Sequence, residues 1–366
     1  MVTTLYKYIF KPIVFKFDPE FIHDSITYFG LFLGRYRVTR FVTKKIFYYS
    51  SPFLEQKISN VNFQNPVGLS AGFDKNAKLL NILPYVGFGF EEIGSVTLDS
   101  YKGNPKPRLY RLKKSKGLVV YYGLMNDGVK KVANRIKEAL KTDMVLGVSV
   151  AKTNSSKTST EEAGIQDYYD CLKYLIDNNI GQYYTINISC PNTFGGEPFT
   201  TEDKLERLLN KLSELKTEKP IFVKMPINLQ IEEFDLLLKV IQKYKFTGVV
   251  IGNLTKVKDP ALIKDEIPEN VKGGISGLPT QSLCNNLISY TYKNYGTSLK
   301  IIGVGGIFSA EDAYEKIKRG ATLLELITGM IFEGPSLIKE INKGLETLAK
   351  KDGFNHISEA IGYYHN

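Results

Sequence analysis

A cysteine between two asparagines, in the stretch NISCPNTFGG (187–196), is the first group in this chain with an evident chemical use. Cys190 follows the apolar run YTINIS (184–189) and precedes Gly195 and Gly196, so it stands where a strand gives way to a polar turn. A thiol with an unperturbed pKa of about 8.5 can exchange a proton not far from neutrality. Asn187 and Asn192 supply amides that both donate and accept hydrogen bonds. Lys224, in FVKMP, ends a second apolar run, and a cation there is costly to bury unless it meets an anion. The ends of other apolar runs carry Ala71, Gly72, Lys75, Ser95, Thr97, Ser149, Lys152 and Asn253. These strand ends hold amides, hydroxyls and lysines, with no acidic pair and no histidine. The set suits hydrogen bonding to a flat heterocycle better than hydrolysis.

Eight apolar, β-rich runs position these groups: 66–72, 90–97, 144–151, 184–189, 220–225, 248–253, 300–306 and 322–328. Helical stretches alternate with them, at 128–141, 161–179, 201–217, 231–244, 309–319 and 335–350. Near-continuous apolar strands separated by helices imply parallel strands buried on both faces. Eight such units predict an α/β fold, a (β/α)8 TIM barrel, in which chemistry gathers at the C-terminal strand ends. A doubly wound sheet is the alternative topology, but it rarely needs eight equal units. Gly305-Gly306 precede a helix opened by Ser309, and Thr328-Gly329 precede a short turn. Both loops follow the last two strands, where barrels commonly bind phosphate on exposed N–H groups. Turn glycines needed only for positive φ are the other reading.

Residues 1–50 differ from the barrel domain, 51–366. They hold eight Lys/Arg against three Asp/Glu, and 14 of the 44 aromatic residues. No uncharged apolar run there approaches the roughly 20 residues of a spanning helix. Lys7, Lys11 and Lys16 interrupt the apolar stretch, which argues against a signal peptide. DPEFIHDSITYFGLFLG predicts a helix capped by Asp18 with Pro19 in its first turn. Phe21, Ser25, Tyr28, Phe29 and Phe32 share one side of it. That side either lies in a membrane interface, with lysines near anionic head groups, or packs as a cap on the main domain. The net charge of +10 is spread along the chain without a nucleic-acid motif, which fits a solvated surface. Three cysteines without CxxC spacing argue against a disulfide framework and a Cys-rich zinc site. Three histidines lack metal-site spacing, so no metal is expected.

Together these motifs resemble the dihydroorotate dehydrogenase family, FMN-dependent (β/α)8 enzymes of pyrimidine synthesis. The resemblance spans almost the whole chain. It rests on GLSAGFDKN, GFGFEEIGSVT, GNPKPRLYRL, INISCPNT, KGGISGLP, IIGVGGI and TGMIFEGP. FDPEFIH followed by PKPRLYRL is similar to the membrane-associated, quinone-reducing class. The resemblance implies FMN contacts from Ala71, Gly72, Ser95, Asn187, Lys224, Gly277, Gly306 and Thr328, with Ser149 at a further FMN position. It implies pyrimidine contacts from Lys75, Asn187, Asn192 and Asn253, and a quinone-side place for Arg111. Cys190 falls at the position of the base that removes a proton from C5 of dihydroorotate while a hydride passes from C6 to FMN N5. The quinone class usually has serine there, the soluble classes cysteine.

The implied function is oxidation of dihydroorotate to orotate in de novo pyrimidine biosynthesis, with quinone as acceptor and no nucleic-acid partner. The implied location is peripheral, on the cytoplasmic face of a bacterial inner membrane. Several positions depart from the family pattern. In VYYGL, Val120 replaces a substrate-binding asparagine. Ser149 replaces an asparagine, Gly252 a threonine, Leu254 a hydroxyl residue and Ile327 a tyrosine. These departures leave open a related FMN oxidoreductase with a different ring substrate or acceptor.

Overall fold

The computed structural model describes residues 2–193 and 198–365. The turn expected at Gly195-Gly196 lies outside them. Eight parallel strands close a barrel. They are β1 (Val67–Leu69), β2 (Phe90–Val96), β3 (Val145–Val150), β4 (Tyr183–Asn187), β5 (Ile221–Met225), β6 (Gly248–Ile251), β7 (Lys300–Val304) and β8 (Leu323–Leu326). Each expected run contains one strand, trimmed where glycine or polar residues leave the ladder for a loop; β4 also starts one residue early. The doubly wound alternative is thereby excluded.

Inward-facing Phe90, Tyr183, Phe222, Val250, Ile302 and Leu323 plug the lower barrel. A hairpin, Gln56–Ile58 with Val61–Phe63, closes the floor. Phe63 packs edge-on to Phe90 at 5.4 Å, and Tyr183 edge-on to Phe222 at 5.7 Å. The expected helices form the outer layer, together with Gln281–Tyr295. That helix is polar along much of its length, yet it buries Cys284, Leu287, Ile288, Thr291 and Tyr295 at helical spacing. A three-stranded antiparallel sheet of Leu109–Leu112, Gly117–Val120 and Gly274–Gly277 borders the open end. The expected turn after Thr328-Gly329 is a short helix, Thr328–Glu333.

Helical segments Val2–Leu5, Tyr6–Phe10 and Lys11–Val14 run on into the helices Pro19–Arg35 and Arg37–Phe47. Asp18 caps the Pro19–Arg35 helix, accepting the Phe21 N–H at 2.8 Å. This helix docks through its small and polar side: Glu20, Thr27, Gly30 and Gly34 are buried. A Cβ on Gly30 would stand 2.6 Å from Leu79 Cδ2, and one on Gly34 3.0 Å from Asn81 Cβ. Phe21, Tyr28, Phe29 and Phe32 face outward. The aromatic side therefore does not pack on the barrel, which removes the cap reading for that face. Among the described residues, 17 of the 25 exposed large hydrophobic side chains lie before residue 50. No helix among them is long and apolar enough to cross a membrane.

Candidate active site

A pocket of about 1270 Å³, counting open solvent at its mouth, occupies the C-terminal end of the barrel. The loop after β1 enters it first. Asp74 fastens this loop by accepting the N–H groups of Asn76, Lys78 and Leu79 at 3.3, 2.9 and 2.6 Å. Ala71, Gly72 and Lys75 are thereby presented to the pocket. Lys75 is buried, its Nζ has no hydrogen-bond partner, and it lies 4.0 Å from the Tyr122 ring centroid. Burial lowers its pKa from 10.5 to about 8, against the opposing pull of Asp24, Asp74 and Glu20. Such a group favours an arriving anion.

Hydrogen bonds tie the ends of β2, β3, β4 and β6 together. Asn187 Nδ2 donates to Ser95 Oγ at 2.8 Å, and the Ser95 and Ser149 hydroxyls are 2.8 Å apart. Ser149 thus stands behind Ser95 and outside the pocket lining, unlike the other positions expected to contact FMN or the pyrimidine. Asn187 Oδ1 accepts the Ser189 hydroxyl at 3.1 Å, and Asn253 Nδ2 donates to that same hydroxyl at 2.6 Å. Asn192 Nδ2 donates to the Val120 carbonyl at 2.9 Å, while the Asn192 carbonyl accepts from Asn104 Nδ2 at 2.9 Å. Cys190, half-buried, sits between these two anchored asparagines and lines the pocket.

Lys224, at the end of β5, donates to Ser70 Oγ at 3.3 Å. Glu92 and Glu325, from mid-strand positions in β2 and β8, approach its Nζ at 4.0 and 3.9 Å. A reading confined to strand ends misses these carboxylates, although an acidic residue inside the apolar runs FEEIG and LLELI was a signal. His23, Tyr122 and Ser276 were missed as pocket residues as well. His23 donates Nε2–H to the Phe73 carbonyl at 3.0 Å, and burial, aided by Lys75, lowers its pKa to about 4. Arg111 is not in the lining; its Nη1 donates to the Phe17 carbonyl at 2.7 Å, and its guanidinium lies 4.6 Å from the Phe15 ring centroid.

The opposite rim is made of glycine. Gly305 and Gly306 have φ of 89° and 69°, and their N–H groups make no backbone hydrogen bond. A Cβ on Gly306 would stand 2.3 Å from Gln281 Cβ. Ser309 caps the following helix by accepting the Asp312 N–H at 3.2 Å. Gly277 is equally confined, since a Cβ there would meet the Lys116 carbonyl at 2.4 Å and Thr328 Cγ2 at 2.7 Å. Thr328 and Ser276 pair their hydroxyls at 2.9 Å. Free N–H groups, close backbone approach and a helix N-terminus fit a phosphate. Lys224 and the amides fit a polar ring beside it.

A closed parallel barrel with a thiol, amides and two lysines at its C-terminal mouth defines a (β/α)8 barrel enzyme. The chain belongs to the dihydroorotate dehydrogenase family, whose sequence model, described as dihydroorotate dehydrogenase, matches residues 53–348. A protein of Trichodesmium erythraeum (strain IMS101) named dihydroorotate dehydrogenase (quinone) is 35% identical over 98% of each chain. One of the same name from Christiangramia forsetii is 37% identical, over 93% of this chain and 98% of its own. The crystal structure of DHODH from Eimeria tenella in complex with ferulenol matches with a TM-score of 0.83 at 28% identity, covering 95% of this chain and 96% of that one.

Proposed function

We propose that this protein oxidises dihydroorotate to orotate with FMN and passes the electrons to a membrane quinone. The observation that carries this reading is the shared pocket, in which Cys190, Lys75, Asn187, Asn192 and Asn253 stand beside the glycine loops of Gly277, Gly306 and Thr328. Bound FMN would accept a hydride from the substrate and hand electrons to the quinone. The chain's own groups supply the rest. Gly305, Gly306 and the Ser309-capped helix would hold the phosphate. Ser95, Asn187 and Lys224 would hold the ring, with Ser149 supporting Ser95 from behind. The asparagines would orient the substrate's polar edges, and the Lys75 ammonium would meet its carboxylate. Cys190 Sγ would take the C5 proton.

The exposed aromatic face of residues 1–50, with Lys16, Arg35, Arg37, Lys44 and Lys45 also exposed, supports peripheral attachment at a lipid interface. His23, Ile327 and Ile331 line the pocket on or near this module, which supports entry of an apolar acceptor from that side. The test is flavin bleaching by dihydroorotate without oxygen, followed by recolouring with a quinone. A yellow protein that dihydroorotate fails to bleach would favour another ring substrate, as Val120 and Leu254 in the pocket allow.

A further inference from the structure

The barrel axis holds a charge cluster of which the reaction above uses only Lys224. Glu92 on β2, Lys224 on β5 and Glu325 on β8 come from strands spread around the ring and meet in the centre. Both glutamates are fully buried. Glu92 Oε2 accepts the Thr185 hydroxyl at 2.5 Å. Glu92 Oε1, both Glu325 oxygens and the Tyr183 hydroxyl lack an ordinary donor–acceptor partner, but the two carboxyls lie against each other, with Tyr183 beside Glu92 and Ser70 beside Glu325. Ser70 completes the surroundings, against Lys224 from β1's end. Glu91, the neighbouring acid, belongs to a different pair with Asp74.

Full ionisation would leave two carboxylates against one ammonium in a dry interior. An unbalanced buried charge costs several kcal/mol, and two carboxylates around one site relieve it by keeping a proton. Burial first, and then the charge of Glu92, pushes Glu325 well above the ordinary carboxyl value of 4.5; burial raises Glu92 as well. We propose that Glu92 and Glu325 share one proton, and that this shared proton lets Lys224 act as a cation toward the bound flavin. The two glutamates are positioning residues that tune the flavin's potential through Lys224. This rests on the reading of the pocket as an FMN site.

Glu325→Gln and Glu92→Gln each preserve shape and imitate a protonated partner, so two variants carry the same test. In the unfolded chain both carboxyls lose their protons near 4.5, while the folded pair keeps one. The folded state then binds more protons, so the pair's contribution to stability falls as pH rises from that value through its folded pKa. Melting temperatures of the purified protein, taken from about pH 5 to about pH 9, should show each variant gaining on wild type as pH rises. Identical pH profiles for wild type and both variants would overturn the shared proton.

The second readout is the midpoint potential of bound FMN against a reference dye. Loss of the shared proton adds negative charge beneath the ring, so the wild-type potential should fall more steeply with pH than that of either variant. Equal slopes would overturn the link to the flavin. A purified protein that takes up no FMN would instead defeat the cofactor reading, and the melting profiles would still judge the pair.

Discussion

The residues on either side of Cys190 are firmly anchored. Asn192 is fastened to Val120 and Asn104, Asn187 to Ser95 and Ser189, and the Thr193 hydroxyl donates to the Cys190 carbonyl at 3.5 Å. Removing the thiol should therefore leave the loop intact. Cys190→Ala is expected to keep FMN and orotate binding and to slow flavin reduction by dihydroorotate by about 10²-fold or more, the usual worth of a general base. Cys190→Ser should retain part of the rate, with its optimum moved to higher pH, because a hydroxyl is the weaker acid. Stopped-flow reduction at wild-type speed in Cys190→Ala would place the base elsewhere. Lys75 carries a separate pH signature. Its ammonium is present below about pH 8 and lost above it. Orotate affinity should thus be level at lower pH and weaken above that value, by up to about tenfold per pH unit. Lys75→Met should bind weakly at every pH and lose the inflection. An unchanged dissociation constant through the same range in wild type would show that Lys75 does not meet the ligand's charge.

The helix Pro19–Arg35 shows how an element can be legible in sequence while its orientation is not. Its cap and length follow from Asp18, Pro19 and the apolar spacing. Which side faces the protein does not, because aromatic rings suit a core and a lipid interface equally. The outcome is fixed by Gly30 and Gly34, which let the backbone approach Leu79 and Asn81. A part-buried ion pair adds to this contact, with Arg108 Nη2 2.6 Å from Glu20 Oε1. Glu20→Ala leaves Arg108 without that partner and should cost on the order of 1–2 kcal/mol, less than for a fully buried pair. Gly34→Leu should push the helix off the barrel, since the Asn81 backbone cannot yield as a side chain can. Both variants should retain FMN yet show earlier proteolysis near residue 20 and slower quinone turnover; unchanged proteolysis would show that the helix does not depend on this contact.

The barrel strands were legible for the opposite reason, since their apolar runs and glycine ends report burial on both faces directly. The Glu92–Glu325–Lys224 cluster was not, because strands far apart in sequence assemble it at the axis. The sheet bordering the mouth was hidden similarly: Gly274–Gly277 pairs with Gly117–Val120 across some 150 residues of chain, and short glycine-rich strands carry little periodicity.

At the scale of the molecule, two surfaces of different character meet at the pocket in the barrel mouth. The barrel exterior is covered by helices whose apolar residues are largely buried, whereas the N-terminal helices expose most of the large hydrophobic side chains. Such a concentration of exposed apolar side chains marks an interaction site. The cations around it suit anionic head groups, with an attraction of about 1 kcal/mol for each lysine or arginine close to the surface. The same module is anchored to the pocket's rim. Tyr6 donates to the Ile331 carbonyl at 2.7 Å, Lys11 to the Phe332 carbonyl at 3.0 Å, and Lys7 pairs with Glu333. These partners lie on the short helix that begins with Thr328. Lipid attachment and acceptor access should therefore be lost together. Deleting residues 1–50 should leave a folded, FMN-loaded barrel that no longer pellets with anionic liposomes. Turnover with a long-chain quinone should drop far more than turnover with a small soluble dye. Raising the salt should weaken the liposome binding of the full chain, because exposed charges are screened over about 10 Å at 0.1 M ionic strength. If the full chain ignores anionic liposomes at low salt, the membrane reading falls. If it binds them but the deletion leaves quinone and dye turnover in the same ratio, the module is an anchor without a part in acceptor access.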